Sequence, residues 1–147
     1  MSDSDLYEAD ILLWSERQAE LLRRHAAGER VNDAAIDWPN IAEEIEDVGR
    51  SERNAVVSHL VLALLHDLKA EAWPLARDAP HWRAEAVGHR DEARRSFSPS
   101  MAQRIDVAKL YREALRRMPE TNDGQAPLPV PAVCPITLAE LLAEPEG

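Results

Sequence analysis

Between Pro39 and Pro74 the chain carries no proline and a single glycine, Gly49. Proline and glycine are the residues that most weaken a helix interior. Asp37 can cap this segment, and Pro39 stands in the first turn, where a missing N–H costs least. The spacing predicts a helix from about Trp38 to Glu71, ended by Pro74. Ile41, Ile45, Val48, Val56, Leu60 and Leu64 form a stripe at helical intervals. From Leu60 to Leu68 the segment is apolar on most sides, as expected of a central, buried helix. A continuous helix from Trp38 to Ala70 would be about 50 Å long at ~1.5 Å per residue, longer than a typical domain of this size is wide. The segment therefore either bends at Gly49, with Ser51 capping a new helix, or protrudes.

The rest of the chain is read around this element. Tyr7, Ile11, Trp14, Leu21 and Leu22 predict a helix from about Asp5 to Ala27, with Ser4 as N-cap and Gly28 as the residue just past its end. A third helix opens at Pro80 or His81 and runs to about Ser96, with Trp82, Ala86, Ala93 and Phe97 on one face. A fourth follows Pro99, capped by Ser98 or Ser100. It carries Met101, Ile105, Ala108, Leu115 and Met118 on one face and stops at Pro119. Residues 121–136 contain Gly124 and four prolines, Pro127, Pro129, Pro131 and Pro135, and form a strap or linker rather than regular structure. Thr137, with Glu140 at capping-box spacing, predicts a last short helix over 137–143. The expected fold is all-α: four main helices and a short C-terminal one in a single helical domain, 1–147, with a helical core over about 5–120. The four tryptophans, at 14, 38, 73 and 82, are expected to fix contacts between helices.

Composition agrees and excludes several classes. Ala and Leu supply 40 of the 147 residues, a bias toward helix. The formal net charge of −10 makes nucleic acid or an anionic membrane a poor default partner. The densest apolar run, Leu60 to Leu65, is far shorter than the ~20 residues that cross a bilayer. The acidic N-terminus lacks the basic region of a signal peptide. Cys134 is the one cysteine, so no disulfide forms within the chain, and a cytoplasmic location is expected.

Three groups of residues could carry chemistry. Glu43, Glu44, Glu46 and Asp47 are first-turn acids that the helix macrodipole favours, and Glu46 is placed to pair with Arg50. Glu43 or Glu44 shares a face with Asp47, so the same residues could hold a divalent cation if further ligands converge. Histidines are the second group. His59 and His66 lie two turns apart on one face, and His81 and His89 lie on the third helix. Neither His-Glu-x-x-His nor the Glu-x-x-His of di-iron bundles is present. A metal site would pair His59 or His66 with His81 or His89 across antiparallel helices, against the commoner fate of a helix histidine as a buried hydrogen-bonding group. Arginines are the third: Arg90, Arg94, Arg95, Arg104, Arg112, Arg116 and Arg117 concentrate in the third and fourth helices. The acids of the second helix are expected to neutralise them, within a chain or across a dimer. Cys134 stands in Val133-Cys134-Pro135 with no local base and reads as a small buried apolar residue. No Gly-rich phosphate loop or nucleophile elbow occurs.

Several segments together resemble a known family. They are Trp14 with Gln18-Ala19-Glu20-Leu21-Leu22, the run Ile41-Ala42-Glu43-Glu44-Ile45-Glu46-Asp47-Val48-Gly49-Arg50-Ser51-Glu52-Arg53, and Leu65-His66-Asp67-Leu68-Lys69. Trp82, His89-Arg90, Ser98-Pro99-Ser100, Tyr111-Arg112-Glu113-Ala114 and Cys134-Pro135-Ile136-Thr137 continue the order. The chain resembles, over nearly its whole length, the bacterial family known as domain of unknown function 29. It departs from the family pattern at His89, where the family often has Gln, and at Asp67, where it often has Leu. An Asp at 67 suggests a solvent-facing position. The resemblance implies a helical fold and brings no established activity, cofactor or catalytic residue. Its defining segments nominate Glu43, Glu44, Asp47, His66, Trp82 and Arg90. A hairpin around Pro74 and Pro80 would bring His66 near Trp82.

Three functions from different classes are compatible with these residues. The first is a non-catalytic interaction module or homo-oligomer, with a dimer or a protein partner and no cofactor. The second is a small-ligand or divalent-metal-dependent activity that uses the acids and histidines. The third is an acidic regulator of a basic partner.

Overall fold

The computed structural model describes residues 2–145. The fold is all-α. Six helices occur among these residues: α1 (Asp3–Ala9), α2 (Ile11–Ala26), α3 (Trp38–Ala72), α4 (Ala79–Ser96), α5 (Val107–Arg116) and α6 (Leu138–Leu142). Two 3₁₀ turns, Asp33–Ala35 and Pro99–Met101, punctuate the connections. The expected four main helices correspond to α2, α3, α4 and α5, and the short C-terminal one to α6. No helix is long and apolar enough to cross a membrane among the described residues. The chain divides into two compact units, residues 1–50 and 51–147. The division falls within α3, one residue after Gly49, yet the helical assignment continues through it.

In the first unit the predicted N-terminal helix is two helices. Asp10 separates them, because its carboxylate accepts the Leu13 N–H at 3.0 Å and caps α2. Its backbone is extended there, at φ −153°. Ser2 rather than Ser4 caps α1, in a reciprocal box with Asp5. Gly28 takes the left-handed conformation, φ +83°, just past the end of α2, where a side chain would be strained. A buried polar knot ties α2 to the start of α3. The Trp14 indole N–H donates to Asp37 Oδ2 at 3.0 Å. Gln18 accepts the Asp37 N–H at 2.8 Å and donates to the Ala35 carbonyl at 3.1 Å. Asp37 stands at the start of α3 as expected, with its carbonyl accepting the Ile41 N–H, but its carboxylate turns inward to Trp14 and Asn40 rather than to a backbone N–H. The outer half of the α3 stripe does not find a core: Ile45 and Val48 are each 68% exposed. Trp38 is also largely exposed, with its ring edge-on to His25 and its N–H on Asp33, so it joins no buried helix contact.

The second unit holds the main core. Val56, Leu60, Leu64 and Leu68 of α3 pack with Ala93 of α4, Leu110, Tyr111 and Ala114 of α5, and Leu141 of α6. The apolar run from Leu60 is thus buried as its sequence demanded. The fourth helix begins later than predicted. Pro99–Met101 is a 3₁₀ turn, and Asp106 caps α5 by accepting from Ala108 N and Lys109 N. Met101 and Ile105 are nevertheless buried, so the apolar pattern marked core residues that lie outside the helix. The proline-rich segment is a strap anchored at several points. Trp73 Nε1 donates to the Gln125 carbonyl, Leu128 N to the Ala72 carbonyl and the Tyr111 hydroxyl to the Pro131 carbonyl. Asp123 and Gly124 adopt positive φ in its tight turn. Cys134 packs against the core and donates to the Ile136 carbonyl. The Thr137–Glu140 capping box starts α6 as predicted. Its last carbonyls, at Leu142 and Ala143, are capped by Arg94 of α4.

Candidate metal centre

Within the second unit α3 and α4 run antiparallel, because contacts pair 59 with 89, 66 with 89 and 69 with 82. His59 and His66 lie at heptad spacing on the α3 face that meets α4. On α4, His81, Glu85 and His89 recur every four residues and so share a stripe of their own. The two stripes meet. His66, Glu85 and His89 offer one ligand atom each, all within 4.8 Å of one another. His89 Nε2 lies 3.7 Å from one Glu85 oxygen, and His81 Nε2 lies 3.7 Å from the other. The His66 and His89 rings stack in parallel, with centroids 5.7 Å apart and an interplanar angle of 1°. On the far side of His89, its Nδ1 meets His59 Nδ1 at 3.0 Å.

The surroundings of His66 favour its neutral imidazole. Burial holds the His66 pKa below the ordinary histidine value, and Lys69 and His89 push it the same way while Glu85 opposes them. Neutral imidazole is the form that ligates a metal. His66 Nδ1 is buried without a hydrogen-bond partner among the described residues. Such an atom normally finds a partner. The side chain of His89 is 20% exposed and that of Glu85 44%, so the cluster opens to solvent on its Glu85 side.

Tetrahedral zinc with ligands at about 2.1 Å needs ligand atoms about 3.4 Å apart. The His89–Glu85 separation of 3.7 Å is already close to that. Binding would draw the three ligand atoms, which lie within 4.8 Å of one another, in to that spacing. Two imidazoles and a carboxylate leave at least one coordination position open, the ligand set of catalytic zinc and of non-haem ferrous sites.

The nominated residues separate into two groups. Glu43, Glu44 and Asp47 belong to the first unit, and the structure gives each another occupation. Arg50 pairs with Glu43 at 2.8 Å, with Glu46 at 3.4 Å and most closely with Asp47. Glu44 accepts from the Tyr7 hydroxyl at 2.6 Å, which together with burial pushes the Tyr7 pKa up to about 12. His66, Trp82 and Arg90 belong to the second unit. Trp82 is buried against Trp73, Ala72 and Ala79, with the Lys69 ammonium 4.9 Å from its ring centroid. It therefore faces Lys69, while His66 sits beside Glu85 and His89, one turn along. Arg90 pairs with Asp67, whose side chain remains 38% exposed, so the position reaches solvent as its type suggested while also holding a partner on α4. Four of the other six arginines are neutralised locally rather than by the acids of α3: Arg94 by Asp91, Arg95 by Glu92, Arg116 and Arg117 by Glu113. Close i,i+3 and i,i+4 spacing wins over longer reach on a solvated face.

Of the four candidate histidine ligands, His59, His66 and His89 meet across this interface, with His66 and His89 inside the group of three, while His81 is 70% exposed and reaches only Glu85 of its own helix. Glu85 is the residue that sequence reasoning missed. The signal was present as a carboxylate midway between two histidines at four-residue spacing, His81-x-x-x-Glu85-x-x-x-His89, a pattern distinct from the two metal motifs sought.

Comparison with known proteins returns no activity for this arrangement. No curated protein matches the chain. Its structure is similar to the crystal structure of an alpha-helical protein of unknown function from Rhodospirillum rubrum ATCC 11170, with a TM-score of 0.64 and 28% sequence identity. The match covers 94% of this chain and 89% of that one. The model of the family described as Domain of unknown function DUF29 matches residues 6–145. With nearly every residue of the chain inside that match, the protein belongs to the DUF29 family, for which no specific function is established.

Proposed function

We propose that this protein binds a divalent first-row transition metal, with His66, Glu85 and His89 as protein ligands and an open position toward solvent. The observation that carries the reading is the convergence of three ligand atoms of the right chemistry within 4.8 Å. The buried, unpartnered His66 Nδ1 supports it, since a polar atom so placed costs stability without a partner. Imidazole and carboxylate together suit zinc, with ferrous iron as the alternative of the same ligand set. His89 is a departure from the family pattern, so the reading concerns this chain and not every member.

The test is calorimetric titration of the chelator-stripped full chain with zinc, repeated with cobalt for its visible spectrum. One equivalent should bind to the wild type, and His66→Ala and His89→Ala should each abolish it. Glu43→Gln and Glu44→Gln should bind as the wild type does. Absence of stoichiometric binding to the wild type, or binding that survives the His66→Ala/His89→Ala double variant, overturns the proposal.

A second reading, self-association through the first unit, is favoured by a different observation. Ile45 and Val48, one turn apart on α3, are each 68% exposed, and Ile11, Leu12 and Leu13 are at least half exposed. Large apolar side chains left exposed at neighbouring helix positions support a surface that meets another protein, and a second copy of this chain is the partner proposed. Sedimentation of wild type and Ile45→Glu/Val48→Glu checks it: a dimer that the double variant splits supports it, and a monomeric wild type at every concentration excludes it.

A further inference from the structure

His59 stands outside the group of three, yet it makes the shortest polar contact in the cluster: His59 Nδ1 to His89 Nδ1, 3.0 Å. Two imidazole nitrogens at this distance share one proton, so one ring donates and the other accepts. The tautomers are then coupled. If His59 donates, neutral His89 carries its remaining proton on Nε2, aimed at Glu85. If His89 donates, its Nε2 lone pair faces Glu85, and a lone pair facing a carboxylate at 3.7 Å is repulsive unless a cation lies between them.

A metal on His89 Nε2 selects the second arrangement. His89 must then hold its proton on Nδ1, and His59 Nδ1 accepts it while His59 keeps its own proton on Nε2. We infer that His59 is a positioning residue for the metal centre, fixing the tautomer and ring plane of His89 from behind. This rests on the metal reading above and specifies which neighbour sets the geometry of one ligand. A histidine ligand whose other nitrogen is hydrogen-bonded is the common pattern at protein metal sites, and loss of such a partner costs about 10–100-fold in metal affinity. Helix geometry supplies the placement: His59 lies two turns from His66 on α3, so the two rings bracket His89 from the same helix face.

The experiment measures cobalt and zinc affinity, and the cobalt visible spectrum, for the full-length wild type, His59→Ala, His59→Asn and His66→Ala. Asn is the conservative variant, because its amide oxygen can stand close to the position of Nδ1 and accept the same N–H. His59→Ala should weaken binding by about 10–100-fold while the spectrum keeps the wild-type coordination number. His59→Asn should recover most of the affinity. Long-range ¹⁵N spectra of the zinc-loaded wild type should show His89 protonated on Nδ1 and His59 on Nε2. Wild-type binding with His59→Ala equally tight overturns this inference alone. A cobalt spectrum that changes coordination number in His59→Ala also overturns it, because His59 would then be a ligand. No binding by the wild type removes this inference and the metal reading together.

Discussion

Replacing Gln18 with alanine should be among the most damaging changes in the first unit, although no charge and no large apolar group is removed. Gln18 is 2% exposed and bridges two backbone groups, the Asp37 N–H and the Ala35 carbonyl. Asp37 is itself 6% exposed, so its N–H would be left buried without an acceptor, at a cost of about 1–3 kcal/mol. The Ala35 carbonyl is half-buried and can recruit water, which puts its share near the bottom of that range. The space left by the side chain adds about 1 kcal/mol. The sum is about 3–5 kcal/mol, a large part of the roughly 5–15 kcal/mol that holds a domain together. Urea unfolding of the full chain by circular dichroism reads this as a midpoint lowered by about 1.5–2.5 M, for a slope of about 2 kcal/mol per M. Gln18→Leu separates the two contributions, since it fills the space but restores neither hydrogen bond. It should remain destabilised by about 2 kcal/mol or more. A leucine variant within about 0.5 kcal/mol of wild type would refute the reasoning, because filling the volume would then suffice.

Other expectations follow from the same contacts. Leu141 is fully buried against the main core, so Leu141→Ala should cost about 2–5 kcal/mol, and thermal unfolding checks it. Thr137→Ala removes the capping box of α6 and should cost about 1 kcal/mol in the same assay. The folded-state pKa of His66 lies below its unfolded value, mainly through burial. The unfolded chain therefore binds this proton more readily, and stability is lost as pH falls from about 6.5 toward the lowered folded value. His66→Gln should flatten that part of the metal-free stability profile, and an unchanged slope would contradict the assignment. Tyr7 should ionise only near pH 12 in the folded chain, and Glu44→Gln should bring its tyrosinate absorbance to lower pH by removing the charge beside the hydroxyl.

Local chemistry made most helices readable in the sequence. Thr137 and Glu140 capped α6, Gly28 closed α2 and the apolar run from Leu60 formed the buried stretch of α3. Where the reading slipped, a single carboxylate outcompeted the apolar periodicity. Asp10 split the first predicted helix and Asp106 delayed the last main one, because a side chain that caps the next turn ends the preceding pattern without disturbing its hydrophobic phase. Asp37 took the cap position at the start of α3 that its type predicted. What its type could not show is that Trp14 and Gln18, far from it in sequence, hold its carboxylate and its backbone N–H in a buried knot. Exposure of Ile45 and Val48 was likewise invisible to periodicity, which marks an apolar stripe but not whether anything covers it.

The candidate site divides along the same line between local and distant information. The acids at 43, 44 and 47 formed the densest cluster in the sequence, and their density has a local explanation: Arg50 lies three to seven residues further on and draws Glu43, Glu46 and Asp47 to itself, while Tyr7 takes Glu44. Crowding of like charges on one helix invites a counter-charge on that helix before it invites a metal. The histidines are sparse in sequence, and their meaning lies in register. A seven-residue interval on α3 and four-residue intervals on α4 each generate one stripe, and antiparallel packing converts two unremarkable stripes into a convergence of His66, Glu85 and His89. Register depends on where Pro74 and Pro80 end one helix and begin the next, and the structure sets Lys69 against Trp82 and His66 against Glu85 and His89. A change of register by one turn, about 5 Å, is wider than the whole ligand cluster. Intervals within a helix can therefore nominate ligands for a site of this kind, but only the packed hairpin can say which of them meet.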